Sequence, residues 1–474
     1  MNKKSCYDKF IITLITSMET PMLKATLLPH QQDAREWCLQ KEKDGCILAD
    51  DMGLGKTVTS CSLLVSNVVK TLVIVPLALL TQWATEIEKH TKGLSTVIYH
   101  GGKRNTVDIS GYDVTITTAH TIVGDFRKGI IAMYATYDRL IIDEAHKLKN
   151  SKSKFHMILS SIFQRTPYKV LLTGTPICNN INDLISLFLL LNTYPYNSND
   201  YWKRRSLKDK VEMVQDIKSQ FLLYRTKDVV LQGKLPDITM KSVRLPLVKK
   251  TQKAAYKVVK ESLYDCKLIK ILRMRQCVND IGMIDSVHDI SEKVEQVINI
   301  LETIPLGDKV VIFSQWKTML DIVAMFIDKP YLMYTGQSSS EEKKTILEEF
   351  NDPNNTTRRL MFITLKCGGC GLNLNIANHA IMIEPYFNHA DERQAIDRIY
   401  RLGQQKKVFV YKLRISSSIE NWMRQLQKTK FSLSNIVLQN TGTTEDILEH
   451  VVTTRKVFDY YVNNIGEERD LPDI

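Results

Sequence analysis

The 474-residue sequence predicts an α/β protein of two tandem lobes, each a parallel sheet flanked by helices, with a helical segment between them. Three observations predict it. Between Cys46 and Leu191, short apolar runs alternate with amphipathic stretches; a second series of the same kind begins near Ser291; and the stretch from Tyr194 to Ile290 is lysine-rich with helical rather than strand spacing. Apolar runs of four to six residues separated by helix-period patterns are the signature of strands buried on both faces, joined by covering helices.

In chain order, residues 1–193 form the first lobe, with strands expected at Cys46–Ala49, Thr71–Val75, Asp113–Thr117, Arg139–Ile142 and Lys169–Leu172. Residues 194–290 read as a helical insertion and hinge, carrying the run Tyr201-Trp202-Lys203-Arg204-Arg205. The second lobe, 291–440, has strands expected at Lys309–Phe313, Arg359–Ile363, Ala380–Ile383 and Val408–Leu413, separated by helical patterns such as Glu341–Phe350. In the tail, 441–474, Val451, Phe458 and Tyr461 suit a short helix packed on either lobe. The length allows two or three domains, each with its own core.

A composition of 44% hydrophobic and 24% charged residues excludes disorder throughout the chain. The net charge of +12 favours a polyanionic partner, although lysine excess also occurs in proteins that never meet nucleic acid. Nine cysteines lack the close, even spacing of a disulfide framework, so free thiols in a reducing compartment are expected. Cys367-Gly368-Gly369-Cys370 is a lone pair with no second pair or histidine at ligand spacing, which argues against a metal site. The apolar run Phe10–Ile15 is too short to span a bilayer, and no membrane association is expected.

The chemistry begins at Ala49-Asp50-Asp51-Met52-Gly53-Leu54-Gly55-Lys56-Thr57. A glycine loop between an apolar strand and a helix turns backbone N–H groups and the positive helix terminus toward an anion. Lys56 would meet the outer phosphates of a nucleotide, and Thr57 would meet Mg2+. Asp143-Glu144-Ala145-His146 follows the strand ending at Ile142, so two carboxylates emerge at the carboxyl edge of the sheet: Asp143 to hold Mg2+, Glu144 to orient and activate the attacking water. An isolated Asp-Glu pair is usually a pair of solvated loop acids; its place downstream of a phosphate loop makes the catalytic reading the stronger one. A single histidine such as His146 is as often structural, but here it can relay between the nucleotide and the lobe interface. Leu172-Thr173-Gly174-Thr175-Pro176 offers two hydroxyls and a glycine to the Asp143 region, a common strand-to-turn pattern made informative by its position. Near the end, Gln394, Arg398 and Arg401 are spaced to share one helix face, and arginine's planar, permanently charged fork suits phosphate oxygens better than lysine would. Gln31, upstream of the loop, has an amide able to pair with an adenine edge.

Taken in order, these elements resemble the Swi/Snf-type DNA-dependent ATPases of helicase superfamily 2, over about Leu27 to Leu413. The resemblance also rests on Pro76–Trp83, Ile177–Asn180, Leu272–Gln276, Ile312–Trp316 and Gly368–Leu374, and the chain's brevity is similar to that of compact viral members. It implies RecA-like lobes, ATP with Mg2+, and tracking along double-stranded DNA without strand separation, so as to displace DNA-bound proteins or nucleosomes. It further implies a monomer acting in a nucleus, with Lys56, Glu144, Gln394, Arg398 and Arg401 catalytic, and Asp51, Met52, Gly53, Leu54 and Gly55 around the nucleotide. His146, Thr173, Gly174 and Thr175 would couple the lobes; Thr117, Thr118, Ser314, Thr364 and Asn373 would line the DNA path. Backbone phosphates would then dominate binding, with steep salt dependence. Departures from the family pattern are Asp51 in place of glutamate, Tyr224 in place of an arginine, and Cys367 and Cys370 in place of alanine and leucine. Two other readings are a strand-separating helicase, which needs a wedge the sequence does not show, and a transcription cofactor whose ATPase is idle. The complete set of motif residues argues against the second.

Overall fold

Seven short segments line up side by side in the first half of the chain, and the central ones are buried along their length. The computed structural model describes residues 20–463 other than 103, 131–133, 135, 265, 286–288, 369–371 and 440. The apolar run at Phe10–Ile15, the residues Gly369, Cys370 and Gly371, and the tail beyond 463 lie outside the described residues. Two units make up the chain: the first runs to Gln232 and adds Ser434–Leu448, and the second comprises Gly233–Leu433 and the chain from Glu449 onward.

In the first unit the strands of the main sheet are β1 (Cys46–Leu48), β2 (Thr71–Ile74), β3 (Thr96–Ile98), β4 (Val114–Thr117), β5 (Arg139–Ile142), β6 (Tyr168–Leu172) and β7 (Leu222–Leu223). They pair in the order β3-β4-β2-β5-β6-β1-β7, parallel throughout. Parallel pairing puts all carboxyl ends on one edge, so the loops after β1, β2, β4, β5, β6 and β7 emerge together. Leu48, Val73, Ile116, Ile141 and Leu172 share one core cluster with Trp83 and Ile87 of the helix Leu80–His90.

Arg139 opens β5 entirely buried, and its guanidinium donates to both carboxylate oxygens of Glu42 at 2.9 and 3.0 Å and to the Asn67 carbonyl at 2.9 Å. Glu42 is equally buried, and its backbone carbonyl accepts from Lys169 N–H at 2.8 Å, so the pair ties β5, β6 and the end of the helix Pro29–Lys41 to one another. Removing one member leaves a charge in the core. Arg139→Met is expected to lower unfolding stability by about 3–5 kcal/mol, read as the urea midpoint at an unchanged slope. A shift under about 1 kcal/mol would contradict this.

The second unit holds β8 (Ile238–Leu245), β9 (Val310–Ser314), β10 (Tyr331–Tyr334), β11 (Leu360–Thr364), β12 (His379–Met382) and β13 (Val408–Ile415), ordered β8-β13-β12-β9-β11-β10 and again all parallel. Along β9, Val311 and Phe313 enter one core cluster while Val310 and Ile312 enter another, which is the two-residue period of a strand with both faces covered.

The stretch 194–290 differs from its expected helical character. Helices at Leu207–Phe221, Lys250–Glu261 and Lys267–Asn279 are present, but it also supplies β7 to the first sheet and the eight-residue β8 to the second. Both are edge strands, and β8 is interrupted by exposed Lys241, Ser242 and Arg244, so neither shows the apolar run that marks a central strand. Beyond β13, Ile419–Gln439 forms one long helix and Thr444–Asn463 a second. Trp422, Met423 and Leu426 pack with Val457 beside Tyr256 and Met274 in the second unit, and the Lys218 ammonium donates to the Val437 carbonyl in the first. Among the described residues no helix is long and apolar enough to cross a membrane.

Candidate active site

At the carboxyl end of β1 the chain turns through Asp50–Gly55 into the helix Lys56–Ser66, with Gly53 at φ 87° and Gly55 at φ 89°. This left-handed backbone is accessible to glycine without steric cost. A Cβ at Gly55 would also lie 2.2 Å from the Gln31 amide nitrogen. Gly55→Ala therefore meets strain and a clash together, and is expected to raise the dissociation constant of a fluorescent ATP analogue at least tenfold while far-UV circular dichroism stays unchanged. Near-native affinity would contradict the geometry.

The loop is held from three sides. The His30 ring (Nε2) hydrogen-bonds with the Leu54 carbonyl at 2.9 Å and Gln31 donates to it at 3.0 Å, while Gln31 also accepts from Leu28 N–H at 3.0 Å. Buried Asp50 receives two hydrogen bonds from Arg225, at 2.9 and 2.7 Å, from the segment after β7, and Arg225 also donates to the His30 carbonyl at 2.8 Å. Asp51, expected at the nucleotide, turns its carboxylate to Lys227 N–H at 3.1 Å. The Lys56 ammonium folds back onto the carbonyls of Asp50 (2.5 Å) and Asp51 (3.4 Å), oxygens that phosphate oxygens can replace. Gln31's amide spends one N–H and one oxygen lone pair on the loop, which leaves one donor and one lone pair for an adenine edge.

Asp143 and Glu144 follow β5 on the same sheet edge. Asp143 accepts from Trp83 Nε1–H at 2.8 Å and from Glu144 N–H at 2.8 Å, and burial, with Glu144 beside it, pushes its carboxyl up to about 6. Glu144 sits at φ 51°, a sparsely populated conformation for a non-glycine residue, of the kind that clusters at functional sites. His146 Nδ1 is 3.0 Å from Thr173 Oγ1 and 3.4 Å from a Glu144 oxygen, and Thr175 N–H donates to Thr173 Oγ1 at 3.1 Å. Burial, aided by Lys147 and Lys149, lowers the imidazole to about 3, so it is neutral near pH 7. The loop after β6 also closes on the phosphate loop: a Cβ at Gly174 would come 2.9 Å from Met52 Cγ and 3.6 Å from Lys56 Nζ. One sheet edge thus gathers an ammonium, two carboxylates and a neutral histidine around a nest of backbone donors. The oxygen donors there, Thr57 and the crowded Asp143 and Glu144 carboxylates, suit a hard cation such as Mg2+ that keeps several waters.

In the second unit, Gln394 lies buried on the helix His389–Ile396. Arg398 and Arg401 do not continue that helix, contrary to the expected shared face. After Ile396 the chain tightens, with Arg398 N–H donating to Ala395 O at 3.2 Å, and Leu374 N–H captures the Arg398 carbonyl at 3.0 Å. Both arginines sit in turns and are partly exposed.

The SNF2-related domain matches residues 30–304, and the helicase conserved C-terminal domain matches 292–403. The chain belongs to the SNF2-related family. It is therefore a helicase-like ATPase of the DNA-dependent class that family comprises. It is 29% identical over 480 residues to the "Probable global transactivator" of Orgyia pseudotsugata multicapsid polyhedrosis virus, covering 90% of this chain and 95% of that one. It is also 29% identical to the mouse "Chromodomain-helicase-DNA-binding protein 1-like" and 28% identical to the "ISWI chromatin-remodeling complex ATPase ISW2" of Saccharomyces cerevisiae. Those matches cover 87% and 94% of this chain but 50% and 45% of the relatives, so the chain spans about half the length of these cellular proteins.

Several residues expected along a DNA path in this SNF2-related chain are turned inward. Thr117 is fully buried with its hydroxyl on the Tyr99 carbonyl at 2.7 Å, and Thr118 caps the helix Ala119–Phe126 through Thr121 N–H at 3.2 Å. Ser314 donates to buried Glu384 at 3.0 Å, and Thr364 is buried at the end of β11. Asn373 is exposed. The sequence reading overlooked the roles of His30, Trp83 and the Asp50–Arg225 pair. A buried indole N–H or carboxylate must find a partner, but nothing in the local pattern says which.

Proposed function

We propose that this chain couples ATP hydrolysis to movement along double-stranded DNA and thereby displaces proteins bound there, acting as a monomer in a nucleus. The observation that carries the reading is the gathering of Lys56, Asp143, Glu144, His146 and the Thr173–Thr175 loop on one sheet edge. Lys56 and the loop N–H groups would bind the phosphates, Thr57 and Asp143 would hold Mg2+, and Glu144 would orient the attacking water. When bound, the cation neutralises charge on the phosphoryl oxygens. Gln394, Arg398 and Arg401 would complete the site as phosphate-facing groups, and His146 with Thr173 would relay the state of the γ-phosphate. Because the Thr117, Thr118 and Ser314 hydroxyls already have protein partners and these residues are buried, side-chain contact with DNA within this group would fall to exposed Asn373.

The 201–205 run is a candidate for further DNA contact. Trp202 is buried with its N–H on the Tyr196 carbonyl at 2.9 Å, and the Arg205 guanidinium lies 3.5 Å from the centre of the Tyr201 ring, leaving Lys203 and Arg204 outward. Changing Lys203, Arg204 and Arg205 to glutamine together is expected to weaken duplex binding and reduce its log–log salt slope by about two. An unchanged slope would return the run to an ordinary solvated face.

Translocation is tested by displacement of a third strand from a linear duplex. ATP-dependent release of the third strand without separation of the duplex supports the proposal; separation of the duplex itself would move it to a helicase. DNA-stimulated hydrolysis with no release would leave only an ATPase.

A further inference from the structure

A basic cleft lies wholly within the second unit, whose sheet is not the one that carries the phosphate loop. It opens at the carboxyl edge between β12 and β13, is small, with a volume of about 20 Å3, and is lined by Glu384, Glu392, Lys412, Arg414, Arg424 and Gln427 among others. In open parallel sheets that edge is where ligands bind. Its charges are unevenly satisfied. Glu392 accepts from Lys412 at 2.9 Å, from Gln427 at 2.7 Å and from Tyr386 N–H at 2.7 Å, which closes that corner. Arg414 is nine-tenths buried, and its Nε–H has no hydrogen-bond partner among the described residues. Burial and the neighbouring Arg424 and Arg244 all lower its affinity for a proton, with Glu420 opposing. Arg244 stands beside it as its register partner across β8 and β13. Glu384 is the one other carboxylate on the lining; burial pushes it up to about 7, so it carries only part of a negative charge near neutrality.

A buried guanidinium with an orphaned donor, beside a second arginine, is destabilising unless something pairs with it. We propose that this cleft is an anion site, built by Arg414 and Arg424 with Lys412 at its rim, that binds a single phosphate group. A guanidinium pair matches the oxygen geometry of phosphate and holds its charge at every working pH. The cleft is too small for a nucleotide and sits on a different sheet from the ATP loop. The phosphate is either a free anion or one phosphodiester of a nucleic acid.

The test uses the full chain carrying Lys56→Ala, which weakens anion binding at the phosphate loop, and the arginine variants read out the cleft against that background. Sulfate and inorganic phosphate are titrated against its thermal midpoint at constant ionic strength, with chloride as balance. A saturable upward shift is expected with both anions, and Arg424→Gln, at a half-buried position that tolerates change, weakens it roughly tenfold or more. Arg414→Met gives an independent readout: it raises the anion-free midpoint, because an unpaired buried charge is gone, and abolishes the response. Duplex binding by the Lys56 protein separates the sources. A salt slope reduced by about one in Arg424→Gln assigns the phosphate to a nucleic-acid backbone, and an unchanged slope with the anion response lost assigns it to a free anion. Sulfate indistinguishable from chloride, or an anion response in both arginine variants unchanged from that of the parent, overturns the proposal.

Discussion

Lys56→Ala is expected to reduce ATP turnover by roughly three orders of magnitude or more while leaving the thermal midpoint within a few degrees of the parent. The first half follows from chemistry. The lysine is the charged donor of the loop that lies nearest Gly174 and acts on Asp143, where a γ-phosphate and its cation would sit. Charge that develops in the transition state has no replacement donor there of the same strength. The second half follows from the structure. The loop is anchored independently by His30 and Gln31 on Leu54, by Arg225 on Asp50 and by Lys227 on Asp51, so the ammonium's bonds to the Asp50 and Asp51 carbonyls are not what holds it. Turnover by coupled assay and melting by circular dichroism, on the same preparation, check both. Loss of turnover together with a collapse of the melting transition would mean that the lysine is structural.

Arg401→Ala should lower kcat by about 10³ or more while changing the dissociation constant for ATP less than about threefold. An arginine that meets transferring phosphoryl oxygens acts on charge that grows in the transition state, so its loss appears in turnover and not in ground-state binding. Arg401 is proposed for such a role. It stands in a turn whose ends are pinned by Leu374 N–H on the Arg398 carbonyl and by the Gln404 amide on the carbonyls of Ala377 (2.8 Å) and Ile399 (3.2 Å). Nucleotide binding measured by fluorescence, beside single-turnover rates, separates the two effects. Equal losses in affinity and rate would assign Arg401 to ordinary ATP binding.

The central strands of both sheets were legible from the sequence for one reason. A strand covered on both faces, such as Arg139–Ile142 or Val310–Ser314, is apolar over most of its length, and a run of that kind between helical patterns has few other interpretations. Edge strands carry no such requirement. Thr96–Ile98, Leu222–Leu223 and Tyr331–Tyr334 are short, and Ile238–Leu245 is half exposed, so their strand character depends on a neighbour being present. The phosphate loop was readable because its glycines satisfy a backbone need at fixed spacing. Its supports were not: Asp50 meets Arg225 across 175 positions and Trp83 meets Asp143 across 60. The shared helix face expected for Gln394, Arg398 and Arg401 failed for a related reason. Spacing of three and four allows a helix, but here Leu374, from elsewhere in the chain, takes the Arg398 carbonyl, and the Gln404 amide ties the segment to Ala377, contacts that the local spacing does not reveal.

The most direct measurement is the steady-state ATPase rate of the full chain with no nucleic acid, with single-stranded DNA, with duplex DNA and with duplex RNA, and Lys56→Ala as blank. Stimulation chiefly by duplex DNA, absent in the blank, is the predicted result. Equal rates with and without duplex DNA, or a preference for single strands, would contradict a motor that moves on double-stranded DNA.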